Sequence, residues 1–121
     1  MSGCIHHVSL TCQSTVISQA YYSQFGFFVE RSYEDESVSI TLMATMQGAR
    51  IELFHFKQAS LIEVETDWDL SGFPELQQVG MTHFALQVDD IEKYHQRFSG
   101  ADICTQIRQA RLGRFCLLFY R

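Results

Sequence analysis

Two histidines and one glutamate have the residue types and positions that could bind a metal ion. His7 and His83 lie 76 residues apart, each within a short run in which apolar and polar residues alternate. Glu52 is the one charged residue of the apolar run IELF at 51–54. A carboxylate in such a run is costly to bury unless a partner pairs with it, and a divalent metal would supply that partner.

The first half of the chain predicts the element order β-α-β-β-β. Residues 5–10 alternate as a strand, and a helix follows that Ser14 caps and Gly26 ends. The apolar residues Val16 and Ile17, with Ala20 and Tyr21, recur at helical spacing. Turns at 34–36 and 47–48 separate the strands that follow, which are predicted at 27–31, 38–42 and 50–56. Glu52 therefore falls on the fourth strand.

Residues 57–79 are acidic and show no clear period, so we interpret them as a connector. The first pattern then returns: a strand is predicted at 81–88, and a helix capped by Asp90 follows. Further strands are predicted at 102–108 and 114–120. The sequence thus predicts one domain, 1–121, made of module one at 4–56, the connector at 57–79 and module two at 80–121.

An offset of 76 residues aligns the two halves. IHHVSL at 5–10 falls on MTHFAL at 81–86, and His7 falls on His83. At the same offset Ser14 aligns with Asp90, and Tyr22 aligns with Phe98. Several matches in one register, with the same order of elements, indicate an internal duplication. The duplication predicts that both histidines point into one cleft.

Four motifs carry a resemblance to a known family: IHHVSL, YYSQFGF, IELF and GMTHFALQVDDIE. In their order and spacing they resemble the vicinal oxygen chelate superfamily of glyoxalases, bleomycin-resistance proteins and extradiol dioxygenases. The resemblance covers nearly the whole chain, and it is more specific for fold than for activity. It implies an α+β fold of paired βαβββ modules.

The resemblance also implies a metal site. Metal-binding members of the family place their ligands on the first and last strands of each module, which here gives His7, Glu52 and His83. Two imidazoles and one carboxylate suit Ni, Co, Zn, Mn or Fe(II), with positions left for water or substrate. Glu52 is also the candidate for proton exchange with a substrate. The residues expected to line the pocket are Ser9, Phe54, Ala85 and Gln87.

The other histidines are expected to have different roles. His6 alternates to the opposite face from His7, so we expect no role for it. His55 is out of phase with Glu52 and is expected to be structural, and His95 is expected to be solvated on its helix. Taken singly, a histidine near the start of a strand is more often an ordinary hydrogen-bonded residue than a ligand.

The family pattern has a fourth ligand, a glutamate on the last strand of the second module. The repeat places it at residue 128, whereas the sequence ends at Arg121 and has no carboxylate after Asp102. The second module is therefore expected to lack its last strand. Three explanations stay open: a shortened chain, which we favour, a gap filled by another chain, or a rearranged module.

Three functions are compatible with these features. The first is a glyoxalase-like, metal-dependent lyase or isomerase that acts on a small oxygen-rich substrate. A dioxygenase is less expected, because extradiol dioxygenases take their carboxylate ligand from the strand that is missing here. The second is a metal-free protein that binds and sequesters an antibiotic, with which Phe54, Trp68 and the net charge of −5 are compatible. The third is an incomplete family member without activity.

The amino-acid composition limits the kinds of partner that the chain is expected to bind. The chain has 14 acidic and 9 basic residues, which is unlike a nucleic-acid-binding domain that neutralises phosphates. It has no signal peptide pattern and no apolar run long enough to cross a membrane. Its four cysteines form no CxxC pair, and we interpret them as reduced thiols of a cytoplasmic protein. The resemblance implies a homodimer.

Overall fold

The structure, a computed structural model, describes residues 1–58, 84–99, 107–109 and 116–117. It separates into two compact units, Met1–Asp69 and Leu70–Arg121, and each is described by itself. The boundary between the units falls inside the predicted connector 57–79. His83, Trp68 and the connector beyond residue 58 lie outside the described residues.

The first unit has the predicted βαβββ order and is an α+β fold. Its sheet has the strand order β1-β4-β3-β2, in which β1 is parallel to β4 and the other pairs are antiparallel. β4 therefore lies between the first and third strands. The elements are β1 (Val8–Thr11), α1 (Thr15–Ser23), β2 (Phe28–Glu34), β3 (Val38–Ala44) and β4 (Arg50–Phe56).

Helix α1 begins and ends where the sequence predicts. The Ser14 hydroxyl accepts a hydrogen bond from the backbone N–H of Ile17 at 3.3 Å, which satisfies a donor of the first turn. The helix ends at Ser23, and Gly26 follows with a φ of 82°. That left-handed conformation costs glycine least, and it turns the chain into β2.

The face of α1 that packs on the sheet is not its apolar one. Val16 and Ile17 are 73% and 72% exposed, so their spacing predicted the helix but not its buried side. The less exposed residues include Gln19 and Tyr22. The Gln19 amide donates a hydrogen bond to the buried Thr41 hydroxyl at 3.0 Å. This hydrogen bond satisfies a polar group inside the sheet face that α1 covers.

The core lies on that same face. Met43 of β3 and Ile51 and Leu53 of β4 are 1%, 2% and 0% exposed. Because side chains alternate along a strand, the residues between them, Glu52 and Phe54, belong to the opposite face. Both are half-buried. The sheet therefore has one packed apolar face and one face that is available for a site.

A single carboxylate organises the turn between β2 and β3. Asp35 Oδ1 accepts hydrogen bonds from the Ser37 backbone N–H and hydroxyl, both at 2.8 Å, and from the Val38 N–H at 2.9 Å. Asp35 Oδ2 accepts one from the Tyr33 hydroxyl at 2.9 Å. These bonds, led by those from Ser37, hold the pKa of Asp35 well below its usual range.

The second unit contains α2 (Ile91–Phe98) and a two-stranded antiparallel sheet of β5 (Arg108–Gln109) and β6 (Cys116–Leu117). Asp90 caps α2 as predicted, accepting a hydrogen bond from the Lys93 N–H at 3.1 Å. The predicted strand 81–88 is not observed in its described part, because residues 84–88 have no regular structure. Among the described residues, no helix has the length and apolar character needed to span a membrane.

Truncation of the fully buried Leu53 to alanine should lower the free energy of unfolding by about 2–5 kcal/mol, because it removes apolar contacts and leaves a cavity. Urea denaturation measures the change. Val16→Ala is the matched control, and its exposed position limits the effect to about 0.5 kcal/mol. Equal losses in the two variants would contradict the assignment of the core to this face.

The Asp35 turn should make stability depend on pH. Since the pKa of Asp35 is lower in the folded state than in the unfolded chain, its contribution is present above about pH 4 and is lost as the pH falls further. Asp35→Asn should therefore destabilise the protein at pH 7, and its difference from the parent should shrink on acidification. Urea unfolding at pH 7, 5 and 3 measures this.

Glu36→Gln is the control for the Asp35 variant, because Glu36 follows in the same turn and accepts none of these hydrogen bonds. If both variants show the same dependence on pH, the turn is not organised by Asp35.

Candidate metal centre

The pairing of the edge strand β1 with β4 brings polar side chains together on one face of the sheet. In the parallel register Ser9 lies beside Glu52, and Thr11 lies beside Phe54. These residues occupy the face opposite the core residues Ile51 and Leu53. Ser9 and Phe54, both predicted pocket residues, therefore share a face with the predicted ligand Glu52.

Glu52 contacts both Ser9 and His7 through one oxygen. The Ser9 hydroxyl donates a hydrogen bond to Glu52 Oε1 at 2.7 Å. His7 Nε2 lies 3.4 Å from the same oxygen, and the side chains of His7 and Glu52 are 35% and 24% exposed. The structure thus brings together two of the three predicted ligands at a partly solvent-accessible position.

The predicted position of His7 needs one correction. The sequence placed His7 on the first strand, but β1 begins one residue later, at Val8. His7 therefore belongs to the segment that enters the strand, and strict alternation does not fix its side chain. It still reaches Glu52, because Val8 and Ser9 hold the start of β1 beside Ile51 and Glu52.

The structure contradicts the predicted orientation of His6. We expected it to face away from His7, yet His6 Nδ1 lies 2.8 Å from His7 Nδ1. The two rings meet edge to face, with centroids 5.1 Å apart and planes at 85°. The prediction was wrong because both residues precede the strand, where adjacent side chains are free to turn toward each other.

Arg50 does not neutralise Glu52, although the two residues share a face of β4. Its guanidinium instead donates two hydrogen bonds to Glu30 at 2.9 and 3.2 Å. These bonds lower the pKa of Glu30 and raise that of Arg50, so the pair is charged and satisfied. Within the described residues no lysine or arginine pairs with Glu52, which leaves its carboxylate available for another cation.

The remaining predicted positions divide into three groups. His55, predicted to be structural, is half-buried, and its Nδ1 lies 3.2 Å from the Cys12 carbonyl oxygen. Ala85 and Gln87 are exposed residues of the second unit, and the structure does not join them to the first-unit site. The third predicted ligand, His83, lies outside the described residues.

The described donors fit a small divalent cation. With metal–ligand distances of about 2.0–2.2 Å, two ligands of a tetrahedral ion lie roughly 3.4 Å apart, which matches the separation of His7 Nε2 and Glu52 Oε1. In the described ranges no group of three or more His, Cys, Asp or Glu side chains converges on one point. Among the described residues the predicted ligands are thus two, His7 and Glu52, and His83 stays the third predicted one.

Cys4 and Cys12 are free thiols, as predicted for those two residues, and Cys4 is exposed. Phe54 and Phe56 stack with their ring centroids 5.8 Å apart, and this forms an apolar wall on the face of Glu52. The candidate site thus combines a carboxylate, an imidazole and a hydroxyl beside two aromatic rings.

Known proteins resemble this chain over most of its length. Residues 4–109 match the family model described as the glyoxalase/bleomycin resistance protein/dioxygenase superfamily. The crystal structure of SMU.1112c aligns with a TM-score of 0.62 at 22% identity, covering 91% of this chain and 84% of that one. No curated protein matches the sequence.

A glyoxylase/bleomycin resistance protein/dioxygenase domain from Frankia sp. EAN1pec aligns with the same TM-score of 0.62. Its identity is 19%, and the alignment covers 92% of this chain and 78% of that one. At these identities the two structures establish the fold, while the family model establishes the family. The chain belongs to the glyoxalase/bleomycin resistance protein/dioxygenase superfamily.

Proposed function

We propose that this protein is a glyoxalase-like, metal-dependent lyase or isomerase that acts on a small oxygen-rich substrate. His7, Glu52 and His83 would hold a divalent ion, which is Ni, Co, Zn, Mn or Fe. The observation that carries the proposal is the 3.4 Å separation of His7 Nε2 and Glu52 Oε1 on the open face of the sheet. When bound, such an ion supplies Lewis acidity that polarises neighbouring oxygens of a substrate.

Glu52 is the candidate for moving the substrate proton. Both of its contacts, with Ser9 and His7, use Oε1. Within the described residues Oε2 is therefore available to take a proton from a carbon next to a carbonyl and to return it. A carboxylate that is 24% exposed is open to a substrate and partly shielded from water.

Ser9 and Phe54 would support Glu52 in different ways. The 2.7 Å hydrogen bond from Ser9 fixes the orientation of the carboxylate, because a short bond to one oxygen limits rotation about the last torsion. Phe54, stacked on Phe56, lines the same face with apolar surface. Ala85 and Gln87 stay pocket residues proposed from the sequence alone.

The partners proposed with this function are a small-molecule substrate and a second copy of the chain. Both are properties that the resemblance implies for the superfamily. A cytoplasmic location is proposed from the cysteines, and the free thiols of Cys4 and Cys12 are compatible with it.

One observation favours a second candidate, a metal-free protein that binds an antibiotic. Phe28 and Tyr33 of β2 are 47% and 56% exposed, and the strand register places them on the face that carries Glu52 and Phe54. An open aromatic surface around one carboxylate suits a cationic aromatic molecule. In that case Glu52 would bind the cation directly.

The metal proposal predicts the result of a calorimetric titration with Ni, Co, Mn and Zn. The parent should bind at least one of them with micromolar or tighter affinity. His7→Ala, His83→Ala and Glu52→Gln should each weaken binding by more than about 100-fold, because loss of a direct ligand exceeds the 10–100-fold effect of an outer partner. His95→Ala, a histidine change on α2, is the control and should bind as the parent does.

If the parent binds none of the four ions, the enzyme proposal is wrong. A loss confined to one of the three variants would show that these residues do not form one shared site.

The two candidate functions differ in what the metal-free protein binds. With metal removed, metal-free bleomycin should bind the parent no better than millimolar if the enzyme proposal holds. Fluorescence titration of the parent, His7→Ala and Glu52→Gln measures this. Tight binding that survives His7→Ala and is lost in Glu52→Gln would establish the antibiotic-binding function instead. Only that function uses the Glu52 carboxylate and does not use the His7 imidazole.

A further inference from the structure

The contact between His6 and His7 requires a proton between the two rings. Their Nδ1 atoms are 2.8 Å apart, which is a hydrogen-bond distance for two nitrogens. One Nδ1 must therefore carry hydrogen while the other offers its lone pair, because two N–H groups at this distance would repel. The edge-to-face arrangement of the rings, at 85°, suits such a bond.

The two nitrogens of His7 thus face different partners. Nδ1 lies against His6, and Nε2 lies 3.4 Å from Glu52 Oε1. The second distance is longer than an ordinary N–H···O hydrogen bond of about 2.7–3.2 Å. Of the two contacts, the one with His6 is therefore the stronger constraint on the orientation of the His7 ring.

We infer that His6 is a positioning residue for the metal centre. It accepts a hydrogen bond from His7 Nδ1–H, and so holds His7 in the tautomer that presents a bare Nε2 beside Glu52. The inference rests on the proposed metal-binding function, since a histidine that binds metal through Nε2 must keep its proton on Nδ1. Metal-bound histidines commonly donate that N–H to an outer partner, which fixes the ring and strengthens the ligand.

The geometry argues against His6 as a ligand in its own right. His6, His7 and Glu52 all lie in the described part of the chain, where no three such side chains converge on one point. His6 Nδ1 is directed at His7 Nδ1, whereas Glu52 lies at the other nitrogen of His7. His6 therefore acts through His7.

Two substitutions at position 6 separate the hydrogen bond from the presence of a ring. His6→Asn keeps an acceptor, because the Asn carbonyl oxygen is attached to the same carbon position as Nδ1 of histidine. His6→Phe keeps a flat ring and removes the acceptor. His6 is exposed, so neither change should alter the thermal midpoint by more than a few degrees.

Calorimetric titration with Co²⁺ should show that His6→Phe binds about 10–100-fold more weakly than the parent, the usual effect of losing an outer partner. His6→Asn should bind within several-fold of the parent. In proton NMR spectra of the Co²⁺-loaded protein, the exchangeable Nδ1–H signal of His7 should be present in the parent and in His6→Asn. The same signal should be lost to solvent exchange in His6→Phe.

Each other result overturns the inference and identifies what failed. If the parent binds Co²⁺ and both variants match it in affinity and spectrum, His6 has no positioning role, while the proposed function stands. If both variants lose binding as severely as His7→Ala, His6 is a ligand and not a positioning residue. If the parent binds none of the metals tested, the proposed function fails, and the role of His6 fails with it.

Discussion

The parallel pairing of β1 with β4 is the constraint on which the candidate site depends. These strands lie far apart in sequence, since Ser9 and Glu52 are separated by 43 positions, and they become neighbours only after α1, β2 and β3 have formed the crossover. Once the register is set, Ser9 must lie beside Glu52. A slip of one residue would turn Glu52 toward the core that Ile51 and Leu53 fill, where an unpaired carboxylate is costly.

The two faces of the sheet differ in burial and in polarity. One face is closed by apolar packing around Met43 and Leu53, and Gln19 donates a hydrogen bond to Thr41 there. The other holds a carboxylate, an imidazole and aromatic rings at partial exposure, where none of them needs complete burial. At the sheet edge all seven residues of β2 are exposed, and its charged side chains discourage pairing with another strand.

Local signals in the sequence predicted most of the first unit. Ser14 is a predictable cap because a short polar side chain before an apolar helical run usually caps the helix, and Asp90 does the same in the second unit. The outward position of Val16 and Ile17 was not predictable, since it depends on Gln19 meeting Thr41 from another element. The irregular backbone of residues 84–88 likewise contradicts a local alternation pattern that matched the first strand.

The wrongly predicted orientation of His6 has a more general physical basis. Alternation assigns side chains to faces only where a ladder of backbone hydrogen bonds holds the strand, and here the ladder begins at Val8. Just outside it, consecutive residues are free to meet, so His6 and His7 reach each other while His7 also reaches Glu52. The result is a continuous polar chain from His6 through His7 and Glu52 to Ser9. Ser9 and Glu52 are positioned by the strand register, whereas His6 and His7 are positioned only by contacts between side chains. In the proposed metal centre, the affinity would therefore be tuned most readily at His6, where a substitution does not disturb the sheet.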